Sequence, residues 1–398
     1  MKMLRKKYII PSLVILALLF SACDKTEISS RQADTFIRYY GVGLEDEGTK
    51  VITTEEGYLI MANVHNPGRG EDICIIRTDE YGNSTAPLQM IGGAFNDVGY
   101  AIKPGNGGYI IAGSTQLSQD ADREIYIVKL SANGDFEWAH QPFPYAYDNE
   151  AYDVLVEDDG NLILTGYTAL DESSQNIDMF YAKTDATATT NLRFTANGIP
   201  QADEVARSLV LWRDSTYIFS GYSIGTLGIR EIFLLRWDGQ FRGGKPLTIH
   251  TERPSEAVCI INTSEDSKFL VGCNYERSAG KTDILLLEVD TTLLERNITS
   301  KYLGERDNNF IMDMSLQGNS IYLAGTAASG ESNHGDILFI RLTEFDSDPQ
   351  YYYIGDGISN IGNGFDITKD NGYVFTGASF LNEKSSISLI KVDNEGNF

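Results

Sequence analysis

Apolar runs that end in a small residue recur at a regular interval along the chain. The last residue of the run is glycine in six of seven copies. The copies are YLIMA ending at Ala62, YIIAG at Gly113, LILTG at Gly166, YIFSG at Gly221, FLVG at Gly272, IYLAG at Gly325 and YVFTG at Gly377. Consecutive copies lie 51 to 55 residues apart, which is typical of a repeat architecture. A glycine repeated at one strand position predicts that another backbone or a large ring approaches closely.

A second apolar segment follows each run and is flanked by charges. It reads as an acid, four apolar residues and usually a base, as in DICIIR from Asp72 and EIYIVK from Glu124. Four unbroken apolar residues predict a strand buried on both faces, in a sheet that lies between other sheets. A shorter strand that opens with a polar residue, usually an acid, precedes each run, and a weaker strand follows each charged segment. We denote these four strands of each unit A to D in chain order.

Four strands per unit, seven times over, predict an all-β fold, a seven-bladed β-propeller of four-stranded blades. A leucine-rich solenoid has a shorter period of about 20–29 residues, and a β-sandwich does not repeat. The seventh unit stops at Phe398 after strand C, and an orphan strand like a D strand occurs at 35–43. We therefore expect residues 35–41 to complete the last blade and close the ring, with 35–398 as a single domain.

The second unit carries a family resemblance. Its segments GGYIIAGST and EIYIVKLSANGDFEW are similar to the seven-bladed propeller repeats of secreted and lipid-anchored proteins of the Bacteroidetes. The resemblance covers about 35–398, although only Trp138 keeps the tryptophan that ends the family's C–D turn. The turn 131–138 also looks a little like the sialidase Asp-box, but Asn133 and Asp135 depart from that box, so no sialidase chemistry is carried over. The resemblance implies a fold and a habit of surface binding, with no common reaction.

The first 22 residues predict an export signal. Four basic residues precede an apolar run at 8–20, which is short for a membrane-spanning helix and matches a secretory signal. The junction Phe20-Ser21-Ala22-Cys23 resembles a bacterial lipobox, which implies lipid attachment at Cys23; an ordinary signal peptide is the alternative. Acyl chains would anchor the protein to a membrane, with 23–34 as a polar tether. We expect an outer-membrane location, either surface-exposed or periplasmic.

The charge balance limits the classes of partner that the chain is expected to bind. The whole chain has a net charge of −24, and without the first 22 residues it has 28 basic against 56 acidic residues. Such a surface repels nucleic acid, so no nucleic-acid partner is expected. No cofactor or metal is predicted, although a structural cation remains open. Cys259 and Cys273 fall on successive strands of a hairpin centred near Asp266, where they would form either a strained cross-strand disulfide or two buried thiols.

Acids that open the A strands are the first candidate site. They are Asp46, Asp97, Glu150, Glu204, Glu256 and Asp307, with Asn360 in the seventh place. Because strand A lines the channel of a propeller, these acids would ring the channel mouth and could bind a cation or a polyhydroxyl ligand. The alternative is that each acid accepts backbone N–H groups in its own D–A turn.

The variable B–C loops are the second candidate, because binding residues concentrate in loops on a rigid scaffold. Tyr167, Tyr222 and Tyr275 follow the glycine position and could stack on sugar rings, or pack between blades. His65 and His334 lie in B–C loops on the same predicted face, but two imidazoles do not make a metal site. No catalytic motif is recognisable.

Three functions are compatible with the sequence. The first is an envelope propeller that binds a glycan or a partner protein through the face of its B–C and D–A loops. The second is a polysaccharide hydrolase or lyase with a carboxylate pair at the channel mouth. The third is a structural subunit of an outer-membrane complex, which a large exposed apolar patch would favour.

Overall fold

The computed structural model describes residues 34–41, 45–143, 147–171, 176–213, 215–238, 246–265, 267–329, 335–355, 357–381 and 384–398. These residues form 28 β-strands and one short 3₁₀ helix, Glu295–Asn297. Within these ranges no helix is long and apolar enough to span a membrane. The expected signal at 1–22, Cys23 and all but the last residue of the tether lie outside the described residues.

The strands form seven antiparallel sheets of four, each of which is one blade. Blade 1 contains β2 (Asp46–Thr53), β3 (Gly57–Asn66), β4 (Gly70–Asp79) and β5 (Gln89–Ile91). Blade 2 contains β6 (Asp97–Gly105), β7 (Gly108–Gln116), β8 (Arg123–Ser131) and β9 (Phe136–His140). Blade 3 contains β10 (Asn149–Val156), β11 (Leu162–Ala169), β12 (Ile177–Thr184) and β13 (Asn191–Asn197). Blade 4 contains β14 (Asp203–Arg213), β15 (Thr216–Ile224), β16 (Arg230–Trp237) and β17 (Leu247–Ile249).

The remaining blades follow the same order of strands A to D, except for the last. Blade 5 contains β18 (Ser255–Asn262), β19 (Lys268–Ser278), β20 (Lys281–Asp290) and β21 (Ile298–Leu303). Blade 6 contains β22 (Asn308–Gln317), β23 (Ser320–Ala328), β24 (Asp336–Leu342) and β25 (Gln350–Ile354). Blade 7 contains β26 (Ser359–Ile367), β27 (Tyr373–Leu381), β28 (Lys384–Val392) and, as its outermost strand, β1 (Phe36–Tyr40).

Ring closure by the first strand is confirmed. β1 pairs antiparallel with β28 over five residues, from Phe36 opposite Lys391 to Tyr40 opposite Ile387. Phe36 is 8 % exposed and packs at the boundary between blades 7 and 1, where its ring lies 6.1 Å from that of Tyr58. The seven-bladed propeller is therefore assembled from both ends of the described chain.

An apolar cluster fills each boundary between neighbouring blades. Between blades 1 and 2, for example, Ile73 and Ile75 of β4 pack against Ile111 of β7 and Val128 of β8. All four side chains are fully buried. The unbroken apolar runs of the C strands arise because each blade is covered on both faces by its neighbours.

The recurrent glycine lies where strands A and B approach closely. A Cβ atom on Gly113 would overlap the carbonyl oxygen of Val98 on the paired strand, and Gly166, Gly221, Gly325 and Gly377 lie in the same situation. The prediction that Gly272 occupies this position in blade 5 is wrong, because Cys273 lies there and pairs with Ala257 of strand A. Gly272 precedes it by one residue and faces side chains of blade 6.

The same strand register shows that Cys259 and Cys273 are not cross-strand partners. Strand pairing is centred between residues 265 and 266, so Cys259 lies opposite Gly272 and not opposite Cys273. Because successive side chains of a strand point to opposite faces, the two sulfur atoms lie on opposite sides of the blade. Both thiols are free and buried, and burial raises the pKa of Cys259 to about 12.

Candidate functional site

A β-bulge interrupts the A–B pairing of every blade near its start. One extra residue in strand A is left unpaired, for instance Tyr100 between Gly99 and Ala101. The seven bulged residues are Thr49, Tyr100, Tyr152, Arg207, Val258, Met312 and Asn363. All of them line a central cavity of about 570 Å³. A bulge re-aims a side chain, and here it does so seven times around one axis.

These residues were missed from the sequence, although a positional signal exists. Each bulged residue comes three places after a polar residue that is the first or second residue of the A–B pairing, as Tyr100 follows Asp97. Hydrophobic periodicity does not show the bulge, because an unpaired residue interrupts the alternation on which periodicity depends.

The A-strand acids lie in the wall of the propeller more than in its channel. The equivalent position in every blade is on strand A, two places before the residue that pairs with the recurrent glycine position of strand B. From blade 1 to blade 7 it is occupied by Asp46, Asp97, Asn149, Glu204, Ser255, Asn309 and Asn360. Asp46, Asp97 and Glu204 are at most 1 % exposed. The backbone N–H of Gly93 donates to Asp97 over 2.6 Å in the D–A turn. Burial raises the pKa of Asp97, and it raises that of Glu204 to about 7.

Three of the predicted acids occupy other positions. Glu150 and Glu256 come one residue later than this buried position, and Asp307 comes two residues earlier. Asp307 is half-exposed and forms an ion pair with Lys281 at 2.7 Å. The six acids therefore do not form one equivalent ring, because acids at different offsets in the repeat point in different directions.

Glu150 is the centre of a polar cluster at the B–C and D–A end of blades 2 and 3. It is 2 % exposed. The hydroxyl groups of Tyr100 and Tyr167 donate to it, the latter over 2.9 Å, and Arg123 forms an ion pair with it. Burial, and secondarily the negative charge of Glu150, raises the pKa of both tyrosines far above the usual value. Glu150 thus holds Tyr100 at the channel wall in its protonated form.

Arg207 lies beside this cluster and lines the channel. Its guanidinium is 4.4 Å from the ring centroid of Tyr152 and 5.7 Å from that of Tyr222. The guanidinium of Arg230 also contacts Tyr222, at 4.3 Å from the ring centroid, and forms an ion pair with Glu256 at 2.5 Å. Tyr100 and Tyr152 are also in contact, with ring centroids 4.7 Å apart. We call Tyr100, Tyr152, Tyr167, Tyr222 and Arg207 the aromatic–arginine cluster.

Tyr167 and Tyr222 occupy the strand B position that directly follows the recurrent glycine. In blades 1 and 5 the same position holds Asn63 and Asn274, whose side chains bond to the next blade. Asn63 accepts from the N–H of Gly99 at 2.9 Å, and Asn274 accepts from that of Ile311 at 2.8 Å. Blades 3 and 4 therefore depart from the structural pattern where the cluster lies.

Tyr275 does not join the cluster. Because Cys273 occupies the glycine position, Tyr275 comes one residue later than Tyr222 in register, which places it on the opposite face of its blade. Its ring packs against Tyr302, with centroids 5.3 Å apart. His65 lies on β3 opposite Glu71, and His334 is outside the described residues.

The channel carboxylates Asp153, Asp313 and Asp366 are bonded to residues of other blades. Asp153 accepts from the N–H of Leu209 at 3.0 Å and lies 3.4 Å from Lys103. Asp313 lies 3.0 Å from Lys50, and Asp366 accepts from the N–H of Thr53 at 2.7 Å. In the ranges that the structure describes, no group of three or more His, Cys, Asp or Glu side chains is arranged to hold a metal ion.

Comparisons with known proteins identify the fold. No family model matches the chain, and no curated protein matches it. Among solved structures, the chain is similar to the β-propeller domain of the Trilobed protease from Pyrococcus furiosus, with 11% identity and a TM-score of 0.50 over 90% of this chain and 97% of that one. It is similar to YCF48 bound to D1 peptide, with 12% identity and a TM-score of 0.51 over 90% and 95%.

A third similar structure is the polysaccharide lyase Uly1, with 10% identity and a TM-score of 0.52 over 89% of this chain and 91% of that one. At such identities a likeness shows the fold alone, because one fold supports many unrelated functions. The chain has the β-propeller fold, with seven four-stranded blades.

Proposed function

We propose that this chain is an exported, lipid-anchored binding protein that holds a partner protein on the face of its D–A and B–C loops, at blades 2 to 4. The observation that supports this is the departure of these three blades from the repeat. They place Tyr100, Tyr152 and Arg207 at the bulged positions, where blades 5 and 6 have Val258 and Met312. Features shared by all blades serve the fold, whereas features confined to adjacent blades indicate contact with a ligand.

The loops above the cluster favour a protein as the partner. Leu117, Leu170 and Leu227 occupy the B–C loops of blades 2, 3 and 4 and are 61 %, 43 % and 85 % exposed. Ile229 accompanies Leu227 and is also exposed. The described B–C loop residues of blades 1 and 5 contain no large apolar side chain. Exposed apolar side chains that are grouped on one face are typical of a protein interaction site.

A glycan fits this arrangement less well. Sugars stack on free aromatic faces, but Arg207 lies over Tyr152, and both Arg207 and Arg230 lie over Tyr222. Tyr275 faces the other way, toward Tyr302. The bound D1 peptide of YCF48 illustrates that a propeller of similar fold can hold a polypeptide.

Hydrolysis or elimination has weaker support. Of the described channel carboxylates, Asp153, Asp313 and Asp366 accept backbone N–H groups, and the first two also face lysines. The fourth, Glu47, accepts from the side-chain amide of Asn363 at 2.5 Å. A general acid–base pair needs two carboxyl groups that are free to exchange protons with a substrate. These acids are better suited to joining neighbouring blades.

Site-specific crosslinking tests the proposal. A photoreactive amino acid at Leu227 should capture one partner protein in intact envelopes, whereas the same residue at Asn319, in the A–B turn of blade 6 and so at the other end of its strands, should capture none. Cys23→Ser should release the protein from the membrane fraction and remove that product. Equal capture from both positions, or capture from neither, would contradict a partner-binding role for this face.

A further inference from the structure

The cations that line the channel or lie on the B–C and D–A face of blades 2 to 4 differ in one respect, which is whether an acid neutralises them. Arg123 is paired with Glu150, Arg230 with Glu256 at 2.5 Å, and Lys103 with Asp153 at 3.4 Å. The guanidinium of Arg207 forms no ion pair or hydrogen bond with any other residue that the structure describes. In a chain with 56 acidic and 32 basic residues, a cation without an acid partner inside a channel is unexpected.

The surroundings of Arg207 hold it in place without using its donors. Tyr152 and Tyr222 contact the guanidinium through their rings, at 4.4 and 5.7 Å. Tyr152 is in turn packed against Tyr100, whose hydroxyl is bound to Glu150. Contact through ring faces fixes a guanidinium while its N–H groups stay available for a planar, bidentate acceptor. A carboxylate is such an acceptor.

The charge of the whole chain limits what carries that carboxylate. With a net charge of −24, the protein repels a ligand with many negative charges, such as an acidic polysaccharide. A ligand with one carboxylate and otherwise apolar groups is repelled only weakly and can pack against the exposed side chains of Leu117, Leu170 and Leu227. The ligand chemistry is therefore one acid group next to apolar side chains.

The position of Arg207 favours a chain end over an internal segment. The residue is three places beyond Glu204, within a cavity of about 570 Å³ that is surrounded by all seven A strands. A chain terminus enters such a cavity end-on. An internal acidic residue is continued by polypeptide on both sides, so two segments of the ligand would have to enter together.

We propose that this site, on the basis of the proposed function, recognises the free C-terminal carboxylate of a polypeptide through Arg207, with the preceding apolar residues on the leucine side chains of blades 2 to 4. Arg207 then determines specificity for the chain end, and Tyr152 and Tyr222 orient it.

The test uses the folded full chain and a library of random hexapeptides presented with a free C-terminal carboxylate, together with the same library ending in an amide. The free acids should yield enriched sequences with apolar residues before the terminus, and the amides should yield none. For the best peptide, amidation or Arg207→Gln should weaken binding ten- to a hundredfold, and Arg207→Lys should weaken it less. Arg277→Gln, on the same face in blade 5, should leave binding unchanged.

Several outcomes would overturn the inference. Equal enrichment of acids and amides, no enrichment at all, or unchanged binding by a folded Arg207→Gln variant would each do so. A galacturonic acid trimer that binds the wild type and not Arg207→Gln would assign the site to a glycan instead. If Leu227 still crosslinks a partner while Arg207→Gln has no effect, the proposed function stands and only the carboxylate assignment fails. If neither crosslinking nor peptide binding occurs, both fail.

Discussion

Replacing Phe36 by alanine perturbs the strand that joins the two ends of the ring. Phe36 is 8 % exposed and packs into the boundary between blades 7 and 1, beside Tyr58. Removal of a well-buried phenylalanine costs about 3 to 5 kcal/mol, and the neighbouring Tyr58 can fill part of the space, so we expect a loss of about 3 to 4 kcal/mol. With an unfolding entropy of about 2.1 cal/mol/K per residue over Thr35–Phe398, this lowers the Tm by about 4 to 5 °C.

The assay is urea unfolding followed by both tryptophan fluorescence and far-ultraviolet circular dichroism. Tyr39→Ala is the matched control, since Tyr39 is on the same strand but 39 % exposed, and its loss should cost less than about 1 kcal/mol. Both probes should report one transition that shifts as a whole, because closing the ring stabilises all blades together. A Phe36→Ala loss no larger than that of the control would refute the reasoning.

A deletion of residues 35–41 extends the same test. It removes five paired residues and leaves β28 as an unprotected edge strand. We expect the whole domain to lose its cooperative fold. An unchanged melting temperature would show that β1 is only an appendage.

Two further predictions concern the polar side chains of Glu204 and Asn274. Glu204 has a pKa raised from 4.5 to about 7 by burial, so its contribution to stability is present below about pH 4.5 and is lost as the pH rises through 7. Relative to Glu204→Gln, the wild type should therefore lose on the order of 3 kcal/mol of unfolding free energy between pH 4.5 and pH 8, and a difference that does not vary with pH would contradict the shift. Asn274→Ala leaves the N–H of Ile311 in the next blade without its acceptor at 2.8 Å and should cost about 1 to 3 kcal/mol in urea unfolding, whereas the exposed Asn319→Ala should change stability by less than about 0.5 kcal/mol.

The architecture was accessible from sequence because it rests on periodic features. The period near 52 residues and the apolar C strands indicate the number of blades and the burial of their central strands, and the structure contains both. The missing last strand and the orphan strand near residue 36 indicated the closure that β1 and β28 make. Each of these inferences depends on which residues are apolar and how far apart they are, which the order of the chain contains directly.

The site was only partly accessible because it depends on register. Tyr167 and Tyr222 were identified as candidates and lie in one cluster, but Tyr275 belongs to a different face, since Cys273 shifts the fifth blade by one residue. Arg207 was not identified. It reaches the channel through a bulge, and no apolar pattern marks a single unpaired residue.

The sequence alone therefore determined the fold of this protein, the number of its strands and the end of the propeller where its loops vary. The tertiary structure decided which side chains meet at that end. The physical reason is that a strand alternates its faces with every residue, so a shift in pairing moves a side chain to the opposite face of its blade, and a bulge can turn a side chain into the channel. The meeting of Arg207, Tyr152 and Tyr222 is set by such a bulge and by the packing of adjacent blades.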